Sequence, residues 1–162
     1  MALFSWESRY SVGIAGWDSQ HQRLFELLNE LHNGMRAGYG RTVLLRILEE
    51  LFEYTNQHFA EEERAMHFFS YPNAADHQAQ HDMLRRQVIH YLKECREGAS
   101  KIRVEIVNFG VRWLTHHILN TDRQYTDFFS ERDLACMYEK EMNRQAGPLL
   151  SSINPGSSRP SL

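Results

Sequence analysis

Four segments of this chain repeat apolar residues at spacings of three and four, and each stripe is interrupted by histidine or carboxylate. The stripes are Leu24, Phe25, Leu28, Leu31 and Met35; Leu44, Leu48, Leu51, Thr55 and Met66; Leu84, Val88, Tyr91 and Cys95; and Ile106, Gly110, Trp113 and Tyr125. Spacing of this kind puts residues on one face of an α-helix. On the same faces fall His21, then His58 and Glu62, then His77 and His81, then His117, with Asp122 shortly after. A helical bundle normally excludes such groups, because burying imidazoles and acids without partners is costly. A metal centre is the simplest partner that satisfies all seven together.

The expected fold is all-α, an antiparallel up-down four-helix bundle with an N-terminal arm and a C-terminal extension. The first helix is capped by Asp18 or Ser19 and ends at Gly38 and Gly40. The second spans about 41–68 and stops before the turn Tyr71-Pro72-Asn73. The third spans about 74–96 and closes at Gly98, and the fourth runs from about Lys101 to Phe129 through Gly110. Residues 1–131 form the bundle unit. Residues 132–162 hold a short helix in DLACMYEKEMNR and then a tail rich in serine and proline, flexible by composition.

Bulk properties remove several function classes. The formal net charge is −3 over 162 residues, with basic residues scattered, so there is no footprint for nucleic acid or an acidic membrane surface. No apolar run reaches the roughly 20 residues that span a bilayer. The N-terminus, MALFSWESRYSVG, lacks the charged and apolar regions of a secretory leader. Cys95 and Cys136 form no CxxC pair, so thiolate ligation is not expected and a reducing, cytoplasmic setting is.

Residues four apart on a helix differ by about 40° in direction, so His58/Glu62 and His77/His81 can each share an ion. His117 and Asp122 are five apart, about 140° on an ideal helix. They reach different sides of a two-metal cluster, or a local π-bulge draws them together. Imidazole and carboxylate without thiolate suit iron, manganese, zinc, copper or nickel. Two octahedral ions offer roughly twelve positions. Five histidines, two bridging carboxylates and one solvent bridge leave a single vacancy, suited to one small ligand. Leu24, Leu28, Phe59, Trp113, Leu114 and Ile118 lie within a turn of the ligands and would exclude water.

Individually these residues admit plainer readings. A lone histidine on an apolar face is more often a satisfied core group than a ligand. Glu61 and Glu63 read as a solvated acidic face, Met66 as gap-filling packing, and Cys95 as an apolar core residue. His32, His67, His90 and His116 miss the ligand spacing and are assigned to the surface.

The motifs also occur in a recognisable order. His58-Phe59-Ala60-Glu61-Glu62 reads as HFxxE, followed by Met66, Tyr71-Pro72, His77-x-x-x-His81 and Trp113-Leu114-x-x-His117-Ile118-x-x-x-Asp122, with Val12-Gly13-Ile14 and Asp18-Ser19-Gln20-His21 upstream. Over about residues 6–130 the chain resembles the hemerythrins, especially the bacterial single-domain ones. The resemblance implies two non-haem irons joined by an oxo or hydroxo bridge. His77, His81 and His117 would hold the saturated iron, His21 and His58 the iron with the vacancy, and Glu62 and Asp122 would bridge them. It implies reversible dioxygen binding, with Leu114 as the gate over the oxygen site, in a monomeric binder rather than an enzyme. Storage, delivery to an oxygen-using partner enzyme and sensing all fit. The extension beyond about residue 131 and Leu84, where the family commonly has an aromatic, depart from its pattern.

Two alternatives compete. His58, His81-Asp82 and Asp122 mimic the H…HD…D order of HD-type metal-dependent phosphohydrolases, but that reading needs Asp82 to face inward and leaves four of the seven residues unused. A ferritin-like di-iron oxidase needs a Glu-x-x-His motif on each of two helices, and neither is present.

Overall fold

A computed structural model describes residues 4–98, 104–134 and 136–137. The chain divides into two units at the Glu131–Arg132 bond. In the first, the helices are α1 (Ala15–Arg36), α2 (Arg41–Phe68), α3 (Ala74–Arg96), α4 (Val104–Asn120) and the short α5 (Thr126–Ser130). Two 3-10 turns, Ser8–Tyr10 and Asp122–Tyr125, complete the set, and no strand occurs among the described residues. The first four helices form the antiparallel bundle. Here α1 packs on α2 and α4, and α2 packs on α3. In the second unit, residues 134, 136 and 137 are helical; the rest of the expected extra helix and the tail lie outside the described residues.

The bounds of α2 and α3 coincide with those read from the sequence. Gly38 and Gly98, just past α1 and α3, have φ of 75°, a conformation that a Cβ would disfavour. The start of α1 differs from expectation. The helix begins at Ala15, one turn before Asp18, and Asp18 instead ties down the arm. Its Oδ1 accepts from the Val12 amide at 2.7 Å and its Oδ2 from the Ser11 hydroxyl. The arm also grips α1 at Asn29, which exchanges hydrogen bonds with both backbone groups of Phe4 at 3.0 and 2.8 Å. Phe4 stacks on Phe25 with ring centroids 3.7 Å apart.

The fourth segment is also a correction. It passes through Gly110 unbroken but stops at Asn120 instead of running on to Phe129. The Thr121 amide still donates to His117 O at 2.7 Å, whereas the Gln124 amide donates to Thr121 O at 3.1 Å, the tighter 3-10 pattern. The Thr121 hydroxyl donates to Gln80 Oε1 at 2.7 Å, which ties this turn to α3. Gly110 has a packing role. A Cβ there would lie 2.7 Å from Leu28 Cδ2, so the glycine leaves room for the Leu28 side chain between α1 and α4.

Apolar residues fill the bundle: Leu24, Leu27, Leu28, Leu31, Leu48, Phe59, Val107 and Ile118 are all buried. An apolar cavity of about 50 Å³ remains, lined by residues that include Leu24, Leu28, Leu84, Phe109, Gly110, Trp113 and Leu114. No helix among the described residues is long and apolar enough to cross a membrane.

Candidate metal centre

His21, His58, Glu62, His77, His81, His117 and Asp122 are all buried, each at 2% exposure or less. They come from α1, α2, α3, α4 and the 3-10 turn after α4. Each histidine presents Nε2 to the common centre. On one side, His21 Nε2 lies 3.0 Å from His58 Nε2. On the other, His81 Nε2 lies 3.1 Å from His77 Nε2 and 3.0 Å from His117 Nε2.

The two carboxylates lie between these groups. Glu62 Oε1 is 3.5 Å from His58 Nε2, while its Oε2 is 3.5 and 3.3 Å from the Nε2 atoms of His77 and His81. Asp122 Oδ2 is 3.4 Å from His21 Nε2, while its Oδ1 is 3.3 and 3.0 Å from those of His77 and His117. Each acid therefore gives one oxygen to the two-histidine group and the other to the three-histidine group. The 3-10 turn explains how residues five apart achieve this. Ending α4 at Asn120 resets the direction of Asp122 without a π-bulge, so that Asp122 meets His117 through Oδ1 and reaches the two-histidine group through Oδ2.

The electrostatics suit a cation. Burial alone would raise both carboxyl groups, and their mutual repulsion would raise Glu62 further. The facing histidines outweigh this and hold both well below the ordinary range. Burial lowers His58 to about 4, with Glu62 opposing and His21 adding to the shift. Burial also lowers His117. At His77 burial acts downward, but Asp122 and Glu62 reverse it and lift the ring to about 9. Asp122 does the same at His21, more weakly aided by Glu62. Among the described residues, Glu62 Oε2 and both Asp122 oxygens are buried without a hydrogen-bond donor. Orphaned acceptors of that kind are expensive unless a cation meets them. With the raised rings deprotonated, ionised carboxylates and imidazoles form a donor set suited to first-row divalent metals, iron included.

Several supporting residues escaped the sequence reading. Tyr125 was visible only as an apolar-face residue, yet its hydroxyl donates to Glu62 Oε1. Gln20 Oε1 meets His58 Nδ1 at 2.7 Å, and Gln80 Oε1 meets His117 Nδ1 at 3.3 Å. These pairs join different helices, so no local spacing announces them. Glu63 and Glu61 are not simply a solvated face. Glu63 Oε1 is 2.8 Å from His81 Nδ1, and Glu61 accepts from Gln20 Nε2 at 2.6 Å. His67, His90 and His116 are exposed, as expected, whereas His32 is only partly so. Asp82 points away from the centre, with its side chain 48% exposed and bonded to Arg85, which removes the inward aspartate that the phosphohydrolase reading requires.

Leu114 is buried one helical turn before His117, and Leu24 one turn after His21; both line the apolar cavity. Phe59 stacks on His81, with centroids 3.6 Å apart and planes 4° from parallel, and Trp113 stacks on His117 at 4.4 Å. The site thus has an apolar wall on the cavity side.

Comparison with known proteins agrees with this geometry. Residues 12–128 match the model of the hemerythrin HHE cation binding domain. The chain is 34% identical over 127 residues to the bacteriohemerythrin of Stenotrophomonas maltophilia, covering 78% of this chain and 82% of the relative. It is 30% identical over 129 residues to that of Clostridium acetobutylicum, covering 77% of this chain and all of the relative. A crystal structure of wild-type hemerythrin superposes with a TM-score of 0.74 at 28% identity, covering 78% of this chain and 97% of the other. The chain belongs to the hemerythrin family.

Proposed function

We propose that this protein binds dioxygen reversibly at a pair of non-haem irons, as a binder and not a catalyst. The observation that carries the reading is the division of each carboxylate. Glu62 and Asp122 each offer one oxygen to His21 and His58 and the other to His77, His81 and His117. A mononuclear site has no use for two groups of histidines separated by two shared acids. In this assignment His77, His81 and His117 would hold one iron and His21 and His58 the other, with Glu62 and Asp122 shared. The two-histidine side has one protein donor fewer, so a small ligand would bind there. Iron bound there would supply the electrons that reversible dioxygen binding needs.

The surrounding residues serve that chemistry. Leu24, Leu28, Trp113 and Leu114 wall the cavity beside the site and keep bulk water from it. Leu114 is assigned as the gate between the cavity and the two-histidine side. The net charge of −3 is consistent with a small neutral ligand rather than an anionic substrate. Storage, delivery to an oxygen-using enzyme and sensing are all served by such a site.

Anaerobic loading with ferrous iron tests the reading. Two irons per chain should bind, and a visible charge-transfer absorption should develop in air and disappear under argon. One metal per chain, or an absorption that never reverses, would overturn it.

A further inference from the structure

The histidines of the centre differ in what stands behind them. His58 and His117 turn Nδ1 to the amide oxygens of Gln20 and Gln80. His21 Nδ1 is buried with no hydrogen-bond partner among the described residues. His81 Nδ1 faces a carboxylate, Glu63 Oε1, at 2.8 Å. Of these four rings, His81 alone has a negative charge behind it.

That carboxylate is fixed in place. Arg85 Nη2 lies 2.9 Å from the same Glu63 oxygen, Nη1 donates to Asp82 at 2.8 Å, and Nε donates to Asn56 Oδ1 at 3.2 Å. The guanidinium also lies 5.2 Å over the ring of Phe59, the ring that stacks on His81. One arginine therefore holds both the acid behind His81 and the aromatic plane beside it. Asp82 shares the charge of Arg85, so the charge of Glu63 is offset only in part.

A carboxylate that accepts the Nδ1 proton fixes the tautomer whose Nε2 lone pair faces inward, and it raises the electron density on that lone pair. An amide oxygen fixes the tautomer without adding charge. We propose that Glu63, held by Arg85, is a positioning residue that makes His81 the strongest donor among these rings. The metal of the three-histidine group is thereby held more tightly and is harder to reduce. This rests on the two-metal reading above.

The test compares wild type with Glu63→Gln and Arg85→Gln, each loaded with iron, in a mediated redox titration in which every ferric ion takes one electron from the mediator. Cobalt(II) affinity is read in parallel by competition with a chelator. Glu63→Gln keeps the acceptor and loses the charge, so its midpoint should rise and one of two cobalt ions should bind about tenfold more weakly. Arg85→Gln leaves Glu63 charged and still bonded to His81 Nδ1, with part of its countercharge gone, so its midpoint should fall. A purely structural role would move both variants the same way, and that result would overturn the proposal. So would a Glu63→Gln midpoint equal to wild type in a protein that still carries two irons, a result that leaves the oxygen-binding reading intact. If Glu63→Gln does not fold, the direction of the Arg85→Gln shift decides alone. Wild-type protein that fails to load two metals overturns both readings.

Discussion

The Tyr125 hydroxyl donates to Glu62 Oε1, the oxygen turned toward His58, and both residues are fully buried. Tyr125 is held in turn by Trp17 and Phe129, whose rings meet it edge-on at 5.0 and 5.5 Å. The 3-10 turn that begins with Asp122 thus places one shared carboxylate and, three residues later, anchors the other.

Removing that hydroxyl has a definite expected cost. In Tyr125→Phe the ring packing survives, but Glu62 loses its only hydroxyl donor among the described residues. Hydrogen bonds to charged groups contribute about 1.5–3 kcal/mol. Urea unfolding of the metal-free variant should show a loss of that order. The metal-loaded variant should lose less, since a cation meets the same oxygen. Equal losses in both forms would show that Tyr125 acts through packing alone.

Acidity supplies a second test, with opposite signs in the two forms. The His77 ring is raised to about 9 from its ordinary 6.5, and His21 is also raised. In the metal-free protein their stabilisation is complete below pH 6.5 and is lost as pH rises toward about 9. The thermal midpoint should fall across that window. A metal needs these rings deprotonated, so metal affinity should rise across the same window, and the gap between loaded and metal-free midpoints should widen. His58, lowered to about 4, acts at the other end: its contribution is present above 6.5 and lost as pH falls toward 4. A flat metal-free profile between pH 6.5 and 9 would contradict the assigned charges.

Leu114→Ala enlarges the cavity next to the site. Truncating a buried leucine costs about 2–5 kcal/mol. None of the seven inward donors is touched, so iron should remain at two per chain while autoxidation in air accelerates. Iron analysis and the decay of the oxygenated absorption measure both. An unchanged decay rate would remove Leu114 from the gate.

The parts that were legible from sequence are those set by local periodicity. The stripes of α2 and α3 revealed the helices and their histidines together, because residues four apart share a face whatever the tertiary context. Where α4 ends was hidden. Residues 117–129 are compatible with continued helix, and the break falls where Thr121 bonds to Gln80 on another helix. Asp18 looked like a cap, and only the folded arm shows why it serves Val12 and Ser11 instead. The residues behind the histidines were hidden for the same reason: Gln20 follows Ser19 in sequence but serves His58, and Glu63 serves His81.

Gly110 offers the converse of the leucine truncation. An added Cβ would lie 2.7 Å from Leu28 Cδ2 and 3.8 Å from its Cγ, so the conflict is with the end of a flexible side chain. Leu28 and Gly110 both line the cavity of about 50 Å³, which gives the displaced methyl somewhere to go. Alanine is favoured over glycine inside a helix by about 1 kcal/mol, enough to offset a modest rotamer cost. Gly110→Ala should therefore stay within about 1 kcal/mol of wild type in urea unfolding. Its cavity should shrink, and autoxidation should slow where Leu114→Ala speeds it. A loss above about 3 kcal/mol would mean that Leu28 cannot yield and that α4 has been pushed off α1. Faster autoxidation in both variants would dissociate the cavity from access to the metal pair.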